Sequence, residues 1–140
     1  LEFCAPGNSM YPLIRDGDLL HVCAIDPSSI RKGVVILFRG ASSQVIAHRV
    51  RQVVVYEHQL RFEVSGDNSR DSDGHITGTQ ILGRVEEVIR DGRSINPSHP
   101  VVRIVASVHR YLIQIRASVV GVYTQILRSF CPHKVPSSRR

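Results

Sequence analysis

The sequence predicts a mainly β fold, in which a small antiparallel β-domain precedes one C-terminal amphipathic helix. Valine, isoleucine and leucine dominate its apolar residues, and only 6% of the residues are aromatic, with no tryptophan. Such β-branched runs favour strands that pack as a single sheet. At 140 residues and 42% hydrophobic content, the chain can bury one core, and a second domain would have too little apolar material to stand alone.

Five β-branched runs are bounded by Gly, Asp, Ser and Pro, which is the pattern of strands separated by turns. They span residues 18–24, 34–39, 45–56, 60–64 and 81–90. Residues 1–8 are too short for a signal peptide and contain Pro6 and Gly7, so we expect an entering loop there. The terminal PSSRR predicts a disordered tail.

A helical period replaces the strand pattern over residues 101–127. One face carries the apolar residues Ile104, Val108, Tyr111, Ile115, Val119 and Ile126. Crossing a bilayer is disfavoured, because Arg103, Arg110 and Arg116 would each cost about 2.5–3.5 kcal/mol near its centre. Two interpretations stay open: this face covers the sheet, or it lies on a membrane surface.

Charge divides the chain at residue 91. Residues 1–91 contain ten Lys or Arg against twelve Asp or Glu, a net charge of −2, whereas residues 92–140 contain eight basic residues and no acidic one. We therefore expect a β-domain over residues 1–91 and a basic helix with its tail over residues 92–140. Any anionic partner should meet the second part, and a membrane surface is favoured over nucleic acid because no nucleic-acid reader motif is present.

The number and spacing of the cysteines argue against disulfides and against a metal site. Cys4, Cys23 and Cys131 are too few and too scattered for a disulfide framework, and no His/Cys cluster has metal-ligand spacing. We expect neither a disulfide nor a zinc site, and no metal or organic cofactor.

The most informative string is GNSMYP at residues 7–12. Ser9 lies between Gly7 and Pro12, where a sharp turn would expose its hydroxyl and leave its own N–H free to face an oxyanion. Asn8 is a second candidate oxyanion donor, through its side chain. A serine hydroxyl needs an adjacent base before it becomes a useful nucleophile.

His48 is the best candidate for that base. It lies midway along a predicted strand, in AHRV at residues 47–50, and its unperturbed pKa of about 6.5 suits a base near neutral pH. Arginine does not deprotonate in practice. The only lysines are Lys32, in a turn before a strand, and Lys134, in the tail.

Four strings occur in an order that resembles the S24/S26 serine peptidases, the group that joins type I signal peptidases and self-cleaving repressor peptidases. They are the string from GNSMYP to residue 20, KGVVILFR at residues 32–39, AHRV, and SGDNSRDSDG at residues 65–74 followed by LGRV at residues 82–85. The resemblance covers residues 7–85 and implies the β fold of those peptidases. Val34 departs from it, since the family usually has aspartate there.

The resemblance implies a Ser-His rather than a Ser-Lys enzyme. The general base is lysine in most bacterial members, and histidine in the endoplasmic-reticulum and archaeal branch and its bacterial relatives. A carboxylate that accepts the second imidazole N–H would fix the histidine tautomer, and Asp67, Asp71 and Asp73 are the candidates. The spacing of the histidine branch favours Asp73 and that of the lysine branch favours Asp71, whereas a structural role is an alternative for Asp67.

These observations predict a serine endopeptidase of signal-peptidase type. By the resemblance, its substrate is a peptide or preprotein segment with small residues before the scissile bond, bound as an added strand. The alternative is a non-catalytic β-module of the same fold used for binding or dimerisation. A self-cleaving regulator is disfavoured, because only eight residues precede Ser9. We expect membrane association with its side undetermined, and the acid-free C-terminal part would suit the cytoplasmic side.

Overall fold

The computed structural model describes residues 1–130, with side chains in residues 121–130 described only for Val122 and Gln125. The fold is mainly antiparallel β, with one curled sheet of eight strands and a single C-terminal helix. The strands are β1 (Glu2–Cys4), β2 (Leu19–Cys23), β3 (Val35–Arg39), β4 (Val45–Tyr56), β5 (Gln59–Ser65), β6 (His75–Thr77), β7 (Ile81–Arg90) and β8 (Arg93–Ile95). Two short 3-10 helices span Pro27–Ser29 and Gly78–Gln80.

The strands follow the order β1-β2-β7-β3-β4-β5-β6, and β8 pairs with the end of β7. Strand β3 is central and buried on both faces, which explains its unbroken apolar run. Its Val35 and Leu37 join one hydrophobic cluster, whereas Ile36 and Phe38 join a second cluster on the opposite face of the sheet. This alternation follows the two-residue period of a strand.

The five predicted strands correspond to β2, β3, β4, β5 and β7. The prediction of a loop over residues 1–8 is wrong in part, because residues 2–4 form β1, in which Phe3 pairs with Leu20 of β2. Three-residue strands such as β1, β6 and β8 are too short to show a period. The predicted division at residue 91 falls in the turn between β7 and β8, so the sheet continues to Ile95.

The helix α1 (Pro100–Phe130) covers the predicted helical segment. It packs on the domain through Val102 and Ala106, which lie beside Pro12, Leu13 and Ile95. Ala106 is 1% exposed, whereas five residues of the predicted apolar face are 42–62% exposed: Ile104, Val108, Tyr111, Ile115 and Val119. The interpretation in which this face covers the sheet is therefore wrong. The side chain of Ile126 lies outside the described set.

Within the described residues, no helix combines the length and the apolar composition that crossing a membrane would require. The predicted disordered tail, with Lys134, and Cys131 lie outside the described residues.

Candidate active site

Ser9 lies on the loop that leaves β1, and its side chain is exposed. Gly7 shapes this loop: its φ of 76° is in the left-handed region that favours glycine, and its N–H donates to Asp16 Oδ1 at 2.6 Å. A second turn follows, closed by the Tyr11 N–H donating to the Asn8 carbonyl at 3.1 Å. Among the described residues, the Ser9 N–H donates no hydrogen bond, so it is free to bind an incoming oxygen.

Strand β4 brings His48 to this serine, 39 residues further along the chain. The Ser9 Oγ and His48 Nε2 atoms lie 2.9 Å apart. His48 is 5% exposed, and its backbone pairs with Ile36 of the central strand β3. The imidazole is therefore carried by a strand that pairs with the centre of the sheet, and its Nε2 atom meets the serine hydroxyl.

Asp73 completes a chain of three side chains. Its Oδ2 atom lies 2.5 Å from His48 Nδ1, although Nδ1 makes no hydrogen bond of ordinary alignment. The contact is thus close but poorly directed. Backbone bonds hold Asp73 beside β5, since the Asp73 N–H donates to Val64 and the Gly74 carbonyl accepts from Val64. A ring protonated at Nδ1 would leave Nε2 as the acceptor for the Ser9 hydroxyl.

The surroundings of His48 favour its neutral form. Burial lowers the pKa of His48 below its ordinary value, because desolvation disfavours the imidazolium ion. The carboxylates of Asp73 and, more weakly, Asp67 raise this pKa, but they do not overcome the effect of burial. The imidazole is therefore uncharged and able to accept a proton at neutral pH.

Asp67 has different partners. This fully buried carboxylate accepts from Arg49 Nε at 2.9 Å and Nη2 at 2.8 Å, and from Arg51 Nη2 at 2.8 Å. It makes no contact with His48 within hydrogen-bond distance, so the geometry gives it a structural role. Asp71 is exposed and has no polar contact with any described residue. Of the three candidate aspartates, only Asp73 reaches the imidazole.

Both oxygens of Asn8 accept hydrogen bonds from neighbouring residues of the fold. Its side-chain oxygen accepts from the Asp16 N–H at 3.3 Å, and its carbonyl accepts from the Asn68 side-chain amide at 3.2 Å. The Asn8 amide nitrogen has no hydrogen bond to a described residue. It therefore remains a candidate donor, alongside the free Ser9 N–H.

Gly66 lets the loop after β5 approach Ser9. A Cβ atom at this position would lie 2.3 Å from the Ser9 carbonyl oxygen. Only glycine, which has a hydrogen in place of a side chain, avoids this clash. Asn68, two residues after Gly66, donates its N–H to the same Ser9 carbonyl at 2.8 Å. Backbone contact with this loop thus fixes the position of Ser9.

Sequence reasoning missed Arg110 and His109, which reach the same loop from α1. Arg110 Nη1 donates to Ser65 Oγ at 2.6 Å, to the Gly66 carbonyl at 3.1 Å and to the Ser69 carbonyl at 2.8 Å. His109 Nε2 lies 3.2 Å from Asn68 Oδ1. No motif marks this pair, and the sequence does not show which loop the basic helix reaches.

A cleft of about 300 Å³ opens beside Ser9 and His48. One wall is the chain after β1, at residues 5–7, and the other is residues 44–48, which comprise the residue before β4 and the first four residues of that strand. β5 pairs with β4 only from Arg49 onward, so residues 45–48 have one edge that no described strand occupies. An extended peptide could add to that edge and place a carbonyl at Ser9.

Comparison of the chain with models of known protein families matches none of them, and comparison with curated proteins also finds no match. The interpretation of this site therefore depends on the geometry described above.

Proposed function

We propose that this protein is a serine endopeptidase in which Ser9 is the nucleophile, His48 the general base and Asp73 the carboxylate that orients His48. The observation that carries the proposal is the continuous chain from Ser9 Oγ through the His48 ring to Asp73, with contacts of 2.9 and 2.5 Å. These three residues come from distant parts of the sequence, and a buried neutral imidazole joins them. This arrangement is the one that nucleophilic acyl transfer needs.

The proposed reaction begins when Ser9 Oγ attacks a peptide carbonyl carbon and His48 Nε2 takes the hydroxyl proton. The oxyanion that forms is met by the free Ser9 N–H; removing one donor of this kind typically costs about 2.7–4 kcal/mol in the transition state. The C–N bond then breaks, His48 gives its proton to the leaving amine, and an acyl-enzyme remains. Water activated by His48 releases the acyl group and restores Ser9.

The cleft supports an extended peptide substrate, and the resemblance implies small side chains before the cut. The lining of the cleft includes Ala5, Gly7 and Ala47 together with the buried Met10 and Ile14, and its volume of about 300 Å³ has room for a peptide side chain. The unpaired edge at residues 45–48 would supply backbone hydrogen bonds. These features favour an endopeptidase over an enzyme for small-molecule esters.

The motifs and the site together favour membership in the S24/S26 peptidases, in the branch that uses histidine. The resemblance gives Ser9 as nucleophile, His48 as base and one of Asp67, Asp71 or Asp73 as the supporting carboxylate, and the contact between Asp73 and His48 supports Asp73 among the three. Val34, where that family usually has aspartate, follows the turn before β3, and it does not line the cleft. Signal-peptide cleavage is the specific activity that follows from this membership.

The first test is cleavage of a fluorogenic peptide with an Ala-x-Ala site by four variants in matched pairs. Ser9→Ala is paired with Ser42→Ala, and His48→Asn is paired with His58→Asn, because Ser42 and His58 are exposed and outside the cleft. We expect more than about a 10³-fold loss of kcat in each site variant and unchanged rates in each control.

An inactive native protein, or a His48→Asn variant that cuts as fast as the native protein, would refute the mechanism. Either result would favour a non-catalytic β-module that keeps the fold for binding or dimerisation.

A further inference from the structure

The face of α1 that points away from the domain is apolar along most of its described length. We call this the outer face and define it by six residues that are 42–62% exposed: Ile104, Val108, Tyr111, Leu112, Ile115 and Val119. Ile104 and Val108 each stand about 200° around the helix from Ala106, which is buried against the domain. A helix on the surface of a water-soluble domain normally has the opposite polarity.

Rotation of the helix cannot bury the outer face, because polar contacts fix the inner one. Arg110 donates to three groups in residues 65–69, and His109 contacts Asn68. Arg103 Nη2 donates to the Lys32 carbonyl at 3.4 Å. The outer face is therefore directed outward by contacts made on the other side of the helix.

Charge indicates what covers the outer face. Residues 92–140 contain eight basic residues and no acidic one, so this part of the chain is complementary to an anionic surface. A second copy of the chain would bring two such acid-free segments together, and their like charges would repel. Nucleic acid would satisfy the charge but would leave the apolar side chains in water.

We propose that the outer face of α1 lies on an anionic lipid bilayer, with the helix axis parallel to the membrane plane. The six apolar side chains enter the interfacial region, and Arg116, which is exposed beside Ile115, extends to the lipid headgroups. At about 1.5 Å per residue, the 31 residues of α1 lie along roughly 46 Å of surface. The inner face then holds the loop of residues 65–73 at a fixed height above the bilayer.

The test is sedimentation of the full chain with vesicles of phosphatidylcholine alone or with about one-third phosphatidylglycerol. Ile115→Glu is compared with Gln114→Glu, which adds the same charge to the neighbouring exposed position outside the outer face. We expect Ile115→Glu to weaken binding to the anionic vesicles about tenfold or more, and Gln114→Glu to weaken it by only a few-fold. Arg116→Ala should reduce binding to anionic vesicles about fivefold and leave binding to neutral vesicles unchanged.

Val108→Glu provides a second outer-face variant, and circular dichroism reports the helix content of each variant. The proposal is overturned if the native chain does not sediment with anionic vesicles, or if Ile115→Glu and Gln114→Glu bind equally well. It is also overturned if the native chain self-associates in analytical ultracentrifugation and Ile115→Glu abolishes that association without changing vesicle binding, since a second copy would then cover the face. None of these outcomes depends on peptidase activity.

Discussion

Asp73 is only partly shielded from water, with 39% of its side chain exposed, yet it contacts the buried ring of His48 at 2.5 Å. Burial lowers the pKa of His48, and the Asp73 carboxylate raises it. Asp73→Asn should therefore move the acidic limb of the kcat/KM profile to lower pH, because the imidazolium ion loses a stabilising charge. It should also reduce kcat about 10²-fold or more, because the ring loses its orienting partner.

The measurement is kcat/KM over a pH range from about 4 to 8, with the native protein expected to show a limb below the ordinary histidine pKa of about 6.5. Asp71→Asn is the matched control, since it removes one exposed carboxylate from the same loop. A limb that moves to higher pH in Asp73→Asn, or that moves equally in both variants, would contradict the assignment.

Asp67 should affect stability rather than proton transfer. Its carboxylate is fully buried and accepts from both Arg49 and Arg51. Asp67→Asn would leave Arg49, itself 4% exposed, without its charged partner, so we expect a loss of about 3–5 kcal/mol in the free energy of unfolding. Urea denaturation measures this loss, and Asp71→Asn should remain within about 0.5 kcal/mol of the native chain. An unfolding midpoint for Asp67→Asn equal to that of the native chain would be inconsistent with the buried pair.

The three aspartates show which part of a site a sequence can specify. The resemblance pointed to the segment of residues 65–74 as the source of a carboxylate, because its Gly, Asp, Asn and Ser residues alone indicate only a polar turn. Choosing among Asp67, Asp71 and Asp73 required the loop path. That path depends on the close approach of Gly66 to the Ser9 carbonyl and on the hydrogen bonds that two arginines of β4 donate to Asp67. Neither contact leaves a periodic pattern in the sequence.

The contact between α1 and the loop of residues 65–73 gives Arg110 a positioning role. This guanidinium binds the loop at Ser65, Gly66 and Ser69, and the loop in turn binds the Ser9 carbonyl. Arg110→Met should therefore lower kcat about tenfold or more by displacing reacting groups, while the pH of the acidic limb changes little.

Arg116→Met is the matched control, because this exposed arginine has no described polar partner. Steady-state kinetics measures both variants, and Arg110→Lys should restore part of the rate. If Arg110→Met and Arg116→Met had equal rates, the helix would have no role in positioning the site.

Secondary-structure elements were more predictable than their orientation. The strands β2, β3, β4, β5 and β7 follow from β-branched runs bounded by turn residues. The helical period of α1 was also visible, but a period identifies an apolar face without showing which side of the helix meets the sheet. Small Val102 and Ala106 fit against Leu13, and the polar contacts of Arg110 fix the rotation, so the larger apolar residues point outward.

At the scale of the whole molecule, α1 separates two chemically different surfaces. Its inner face contacts the loop that positions Ser9, and Tyr11, two residues beyond Ser9, packs edge-on against His109 with ring centroids 5.5 Å apart. Its outer face carries the exposed apolar residues. A bilayer bound to the outer face would therefore lie one helix diameter, about 10 Å, from this contact.

This arrangement predicts a preference for substrates that are themselves attached to a membrane. The native chain should cleave a peptide anchored in anionic vesicles at least about tenfold faster than the same peptide in solution, because sharing one surface raises the effective concentration of the substrate.

Ile115→Glu should lose this advantage yet cleave the soluble peptide at the native rate, since Ile115 has no contact with Ser9, His48 or the cleft. Fluorescence assays of both peptides, with Gln114→Glu as control, measure the two rates. If Ile115→Glu kept the advantage for the anchored peptide, the outer face would have no part in substrate capture, even if the Ser9 chemistry were intact.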